Sequence, residues 1–194
     1  YKPEDLKWGL WETIETRTFP GSVSNHHLGT LLGQLMAAYE MNAFKDEYQK
    51  AVIENAKHFA KCLAGEGLDV AGDPSIGYTE THQVIVRVGY AHGPEIAERL
   101  EANNIVCNYQ ATPEEEGFSA SGALRMGVNE MTRFGFGKDE FAKLAHLIAE
   151  CVLHNTNVKE EVSRLRAGFT DMRYCFSDAQ TEALLQSFAQ ATGI

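Results

Sequence analysis

No apolar run in this sequence approaches the roughly 18 residues that a membrane-spanning helix requires, and no secretory-leader pattern is visible. Basic residues are also scarce: 17 lysines and arginines face 27 aspartates and glutamates, a net charge of −10 without a basic cluster. Such a chain is poorly suited to nucleic acid, where affinity comes from cations that neutralise phosphates and release counterions. The four cysteines, Cys62, Cys107, Cys151 and Cys175, are widely spaced and form neither a CxxC pair nor a compact disulfide pattern. Reduced thiols and a cytoplasmic location are therefore expected, with Cys62 and Cys151 acting as small core hydrophobes on apolar helix faces. A P-loop, a dinucleotide-binding GxGxxG and a nucleophile elbow are all missing.

What is present is an ordinary globular composition, 44% hydrophobic and 23% charged over 194 residues, enough for one sizeable core. Pro3 to Thr16 has helical spacing at Leu6, Leu10 and Ile14, and "FPG" breaks it. Leu28 to Tyr39 and Asp46 to Leu63 read as two long helices, the first capped by Ser24 or Asn25 and the second ending at Gly65 or Gly67. The pattern then changes to short β-branched runs, "LDVAG", "HQVIVRVG", "NIVCNY" and "GALRMG", with a short helix expected over Pro94 to Ala102. Helices are predicted again over Lys138 to Leu153, Val158 to Arg166 and Asp178 to Ala191, the last with a Ser177/Gln180 capping box. The fold class is a two-layer α/β or α+β unit: a small, mainly antiparallel sheet flanked by helices. "TPEEEG", from Thr112 to Gly117, reads as an exposed acidic loop rather than a metal site.

Three places could carry chemistry. Arg125 sits in the apolar strand "GALRMG", and an unpaired buried guanidinium costs several kcal/mol, so it needs a partner. That partner is either an internal acid or a ligand carboxylate clasped by the planar fork. "FPGSVSNHHLG" is either a capped turn or, with its hydroxyls, amide and imidazoles before a helix, a seat for an anion such as phosphate. His82, beside a strand, either bonds locally or faces a cleft. His26 and His27 are adjacent and diverge on a helix, which speaks against a paired-histidine metal site. Gly29 and Gly33 suggest close helix packing.

Taken together, "FPGSVSNHHLG", "YQKAVIENAKHFAKCLAGEGLDV", "TETHQVIVRV", "NNIVCNYQATP" and "SGALRMGVNEMTRFGF" resemble the carboxyl-terminal portion of serine hydroxymethyltransferase, in that family's order and over nearly the whole chain. The resemblance implies the type I pyridoxal-phosphate fold, with residues 1–24 as the tail of the large cofactor-binding domain and interdomain loop, and 25–194 as the small domain. It implies that Arg125 grips the substrate α-carboxylate, which fixes the Cα bond held parallel to the cofactor's π system and so chooses the reaction. Serine would then pass its hydroxymethyl group to tetrahydrofolate, leaving a glycine carbanion delocalised into the pyridine ring.

The resemblance also places Ser24, Asn25 and His26 at a partner subunit's cofactor phosphate, where the family usually has two glycines and a proline, and hence implies a homodimer. Gln110 stands on the folate side in place of an asparagine, Tyr109 replaces a lysine, and Phe134 stands where arginine is common. These departures leave a threonine aldolase or transaldolase with an aldehyde acceptor as one alternative, and a non-catalytic carboxylate- or partner-binding domain as another. The family's Schiff-base lysine lies upstream of "FPG" in a threonine-rich segment that is not found here, and residue 1 is tyrosine. The expectation is therefore an inactive fragment whose missing large domain belongs to the same polypeptide.

Overall fold

A computed structural model describes residues 9–112 and 121–193. Pro3 to Trp8 of the expected first helix, and the acidic loop from Pro113 onward, lie outside the described residues. The chain divides into two compact units, Tyr1–Ala43 and Phe44–Ile194.

In the first unit, helix α1 spans Leu10–Thr16 and runs into a wider helical turn over Arg17–Ser22. The "FPG" break is visible at Phe19, whose φ of −137° and ψ of 124° leave helical geometry, and the Phe19–Pro20 peptide is cis. Helix α2 then runs unbroken from Leu28 to Gly65, through the division between the units. One helix thus replaces the two expected. Between Tyr39 and Asp46 there is no glycine or proline, and extending an existing helix adds one hydrogen bond per residue fixed, whereas a new one needs a fresh nucleus. Neither Ser24 nor Asn25 caps it: Asn25 Nδ2 donates to Ser24 Oγ at 3.4 Å, and the first helical bond runs from Leu31 N–H to the His27 carbonyl. At its other end Gly67, at φ +93°, closes a Schellman motif, with Gly67 N–H bonded to Ala64 O and Leu68 N–H to Leu63 O. A Cβ on Gly29 or Gly33 would meet nothing within 4 Å, so the expected close packing there is not seen among the described residues.

The second unit holds a four-stranded sheet of β1 (Asp69–Val70), β2 (Gln83–Arg87), β3 (Asn108–Gln110) and β4 (Ala123–Gly127), in the order β1-β2-β4-β3 with every neighbour antiparallel. Helix α3 (Gly93–Ala102) links β2 to β3, and β4 inserts between them. The β3 strand begins later than "NIVCNY" suggests. Asn104, at φ +64°, ends α3 with Ile105 N–H bonded back to Leu100 O, so the chain is still leaving the helix there. A short α4 (Asn129–Arg133), which periodicity did not signal, precedes α5 (Lys138–His154), α6 (Lys159–Ala167) and α7 (Asp178–Thr192). The α7 capping box forms as expected, with Ser177 N–H donating to Gln180 Oε1 at 3.0 Å and Gln180 N–H to Ser177 Oγ at 3.4 Å. Ser177→Ala is expected to fray α7, with about 1 kcal/mol of local stability lost in hydrogen exchange of its first turn.

Period-two alternation sorts the sheet into two faces. Val84, Val86, Leu124 and Met126 point into a core completed by Val52, Ala56, Phe59 and Leu63 of α2, Ile96 and Leu100 of α3, and Phe141, Ala145 and Ile148 of α5. Cys151 is fully buried in that core and Cys62 packs partly against it, as read from their helix faces.

Candidate functional site

Arg125 occupies the middle of β4, a central strand, directly opposite Ile85 on β2 and Asn108 on β3. Its neighbours on the strand, Leu124 and Met126, are buried in the core, so the pleat turns Arg125 to the opposite face. The same face carries Gln83 and Arg87 from β2, Gln110 from β3 and Asp69 from β1, because Gln83 pairs with Gly127 while Arg87 and Gln110 both pair with Ala123. Sheet register thus brings Gln110 within one diagonal step of Arg125, a separation of about 7 Å that long side chains bridge.

The two guanidinium groups of this face differ. Arg87 pairs with Asp69 across the ladder, Nη1 to Oδ1 at 3.4 Å. Arg125 is half-buried and, among the described residues, its guanidinium has no hydrogen bond or ion pair. Its neighbours are an aliphatic side chain and two carboxamides, none of which compensates a full charge. An anionic ligand with a planar pair of oxygens would.

The segment that follows β4 is anchored from α2, a support that sequence patterning did not reveal. Asn55, buried among apolar residues, donates through Nδ2 to Thr132 Oγ1 and to the Phe136 carbonyl, each at 3.0 Å. Tyr48 donates its hydroxyl to the Asn129 carbonyl at 3.0 Å, and burial pushes that hydroxyl's pKa above the ordinary tyrosine value, so the donor persists further into the alkaline range. An asparagine on an otherwise apolar stripe was the available signal. Asn55→Leu is expected to destabilise the protein by about 1–3 kcal/mol in urea unfolding, since it leaves a buried carbonyl and hydroxyl without their donor.

In the first unit, Ser24, Asn25 and His26 are all exposed in the turn before α2. Their hydroxyl, carboxamide and imidazole stand next to the unpaired first-turn amides of a 38-residue helix. That donor set suits a phosphate group. Two residues noted as departures are also placed: Tyr109 is partly exposed opposite Leu124, and Phe134 lies under the Arg166 guanidinium, 4.5 Å from its ring centroid. Among the described residues, no group of three or more His, Cys, Asp and Glu side chains could hold a metal ion, and no helix is long and apolar enough to cross a membrane.

Cys107 is the thiol most altered by its surroundings: burial first, then the nearby Cys151 and Glu101, raises its pKa to about 11. The folded state therefore holds this proton to higher pH than the unfolded chain, whose thiol releases it near 8.5–9. Stability from this group is complete below about pH 8.5 and declines as pH rises toward 11. Alkylation of Cys107 by iodoacetamide at pH 8 should accordingly be far slower in the native protein than in urea.

The small antiparallel sheet, its flanking helices and the connection through α3 define the carboxyl-terminal small domain of a type I pyridoxal-phosphate-dependent transferase. The chain belongs to the serine hydroxymethyltransferase family, whose pattern matches residues 2–148. It is 38% identical over 176 residues to a serine hydroxymethyltransferase of Korarchaeum cryptofilum, covering 87% of this chain and 40% of that one. For the protein of the same name from Pyrobaculum calidifontis the identity is 37%, covering 91% and 41%. Among solved structures, an L-threonine transaldolase from Pseudomonas fluorescens in its internal aldimine state superposes with a TM-score of 0.76 at 30% identity, covering 89% of this chain and 40% of that one. The chain thus spans about two fifths of the length of these relatives.

Proposed function

We propose that this chain supplies the amino-acid-gripping part of a pyridoxal-phosphate enzyme that interconverts serine and glycine, with tetrahydrofolate as the one-carbon carrier. The observation that carries the reading is Arg125, a half-buried guanidinium without a partner among the described residues, on a sheet face lined by carboxamides. Its two parallel N–H donors would take both oxygens of an α-carboxylate and so fix the rotation about the Cα–carboxylate axis. Ser24, Asn25, His26 and the first amides of α2 would hold the cofactor's phosphate. When bound, pyridoxal phosphate supplies an electron sink that weakens the bonds at the substrate's Cα. Gln110, with both a donor and an acceptor, would face the one-carbon acceptor.

A second reading keeps the cofactor and replaces folate by an aldehyde. It is favoured by the structural likeness to a threonine transaldolase and by the departures at Tyr109 and Gln110. A third, a non-catalytic domain that binds carboxylates or a protein partner, draws on the same open face. A protein partner of some kind is supported by the first unit and the start of α2, where Leu10, Trp11, Ile14, Leu28, Leu31 and Leu35 are all exposed. Apolar side chains in such numbers are normally covered by another surface. The proposed covers are the large domain of the same polypeptide and a second subunit of a homodimer, with residues 1–24 read as the link to that domain.

The test is turnover by the full gene product. One-carbon transfer from serine to tetrahydrofolate supports the first reading. Turnover with glycine and an aldehyde, but none with tetrahydrofolate, replaces it by the second. Glycine binding without turnover in either assay leaves the third.

A further inference from the structure

Between the core side of β4 and helices α5 and α6, the second unit contains a cavity of about 330 Å³. Its floor is made of three rings and a thioether, Phe59, Phe136, Phe141 and Met126, each 6% exposed or less. Native interiors are close-packed, with few voids larger than a water molecule, so a space of this size is not ordinary packing. Its origin lies in α6. That helix reaches the core through Val162, its only buried residue, and leaves Leu165 and Arg166 half-buried along the side of the cavity. The opening is marked by Asn104 and Glu130, lining residues that are exposed.

The polar groups of the lining are not equivalent. Asn104 Nδ2 donates to Ser163 Oγ at 3.0 Å, and the Arg166 guanidinium lies over the Phe134 ring and donates to the Phe169 carbonyl. Among the described residues, the Glu130 carboxylate has no hydrogen bond or ion pair. The lining therefore offers a free acceptor above an aromatic floor. An apolar cavity of about 150 Å³ stays dry and takes up benzene, and about twice that volume suits two fused rings. Pockets for small molecules begin at about 300 Å³. We propose that this cavity binds a flat, neutral, fused-ring aromatic molecule whose N–H or O–H donates to Glu130. Ring edges and the Met126 sulfur on the floor are favourable partners for such a ring. Neutrality follows from the lining, since Arg166 would repel a cation and Glu130 an anion. Met126 is turned into the core and Arg125 away from it, so the assignment does not rest on the reading of Arg125.

Indole is the probe, and 1-methylindole, which lacks the N–H, is its control. In the full gene product carrying methyl-13C methionine, assigned with Met126→Leu and Met131→Leu, indole should shift the methyl signals of both lining methionines. The shifts should saturate, with a midpoint below about 1 mM. Leu165→Trp, which places a fused ring of the protein's own in the space, should abolish them. Glu130→Ala should weaken indole about fivefold, because one hydrogen bond to a charged group is lost at a rim where water competes, and should leave 1-methylindole unchanged. Met126 and Met131 methyls that do not move at about 5 mM indole overturn the site, and that measurement needs no variant to fold. Shifts that persist in a folded Leu165→Trp overturn it as well. Unchanged indole affinity in Glu130→Ala, an exposed position, overturns the assignment of Glu130 as the acceptor.

Discussion

Replacing Arg125 by alanine is expected to weaken glycine binding by about 2 kcal/mol, the lower end of the range of roughly 2–5 kcal/mol for truncating one side of a desolvated charge pair. The lower end applies because Arg125 is half-buried, so water screens part of the interaction in the wild type and solvates the orphaned carboxylate in the variant. In a titration this is a loss of roughly thirtyfold in affinity. Arg125→Lys separates charge from geometry. It keeps a cation but loses the planar fork, and it should recover part of the affinity while leaving the carboxylate less well oriented. For an enzyme that depends on orientation, the lysine variant should therefore show a larger deficit in kcat than in glycine affinity. Unchanged glycine binding in Arg125→Ala would exclude the clasp. Arg125 has no acidic partner among the described residues, so a lost internal ion pair would not account for a positive result.

The largest effect on folding is expected from Phe141→Ala, with a loss of about 3–5 kcal/mol in denaturant unfolding. Phe141 is 1% exposed on α5 and lies 5.3 Å from the ring of Phe59 on α2 and 5.5 Å from that of Phe136, measured between centroids. Phe136 in turn meets Phe169 edge-on at 4.8 Å. Removing the ring opens a cavity where α2, α5 and the segment after α4 converge, and close-packed surroundings relax into such a space only in part. Since a domain's whole stability is about 5–15 kcal/mol, the variant should also unfold at markedly lower temperature. A loss below about 1 kcal/mol would mean that this aromatic cluster is not the centre of the core.

Much of this fold could be read along the chain, because the signals are local. The stripe Phe141, Leu144, Ala145, Ile148 and Val152 marked α5 almost to the residue, and Ser177 with Gln180 marked the start of α7. The short apolar runs "HQVIVRVG" and "GALRMG" located β2 and β4, although only the sheet pleat showed that Arg125 faces away from the core positions on either side of it. Where local signals conflicted with what followed, the reading slipped. Ser24 and Asn25 have capping chemistry, yet α2 begins three residues beyond Asn25, and the apolar run "NIVCNY" is first claimed by the end of α3.

Sequence alone determined that one permanent charge interrupts an apolar strand and that the family motif surrounds it. It could not determine which side chains share its face. That depends on β4 inserting between β2 and β3, which puts Asn108 and Ile85 opposite Arg125, Gln110 one diagonal away, and Gly127 beside His82 and Asn129. Pairing between distant segments is decided by the joint burial of both faces of the ladder, and a one-residue slip would turn every one of these side chains to the other side. Propensity and capping act within a few residues of their source, whereas register is a property of strands that meet only in the folded chain.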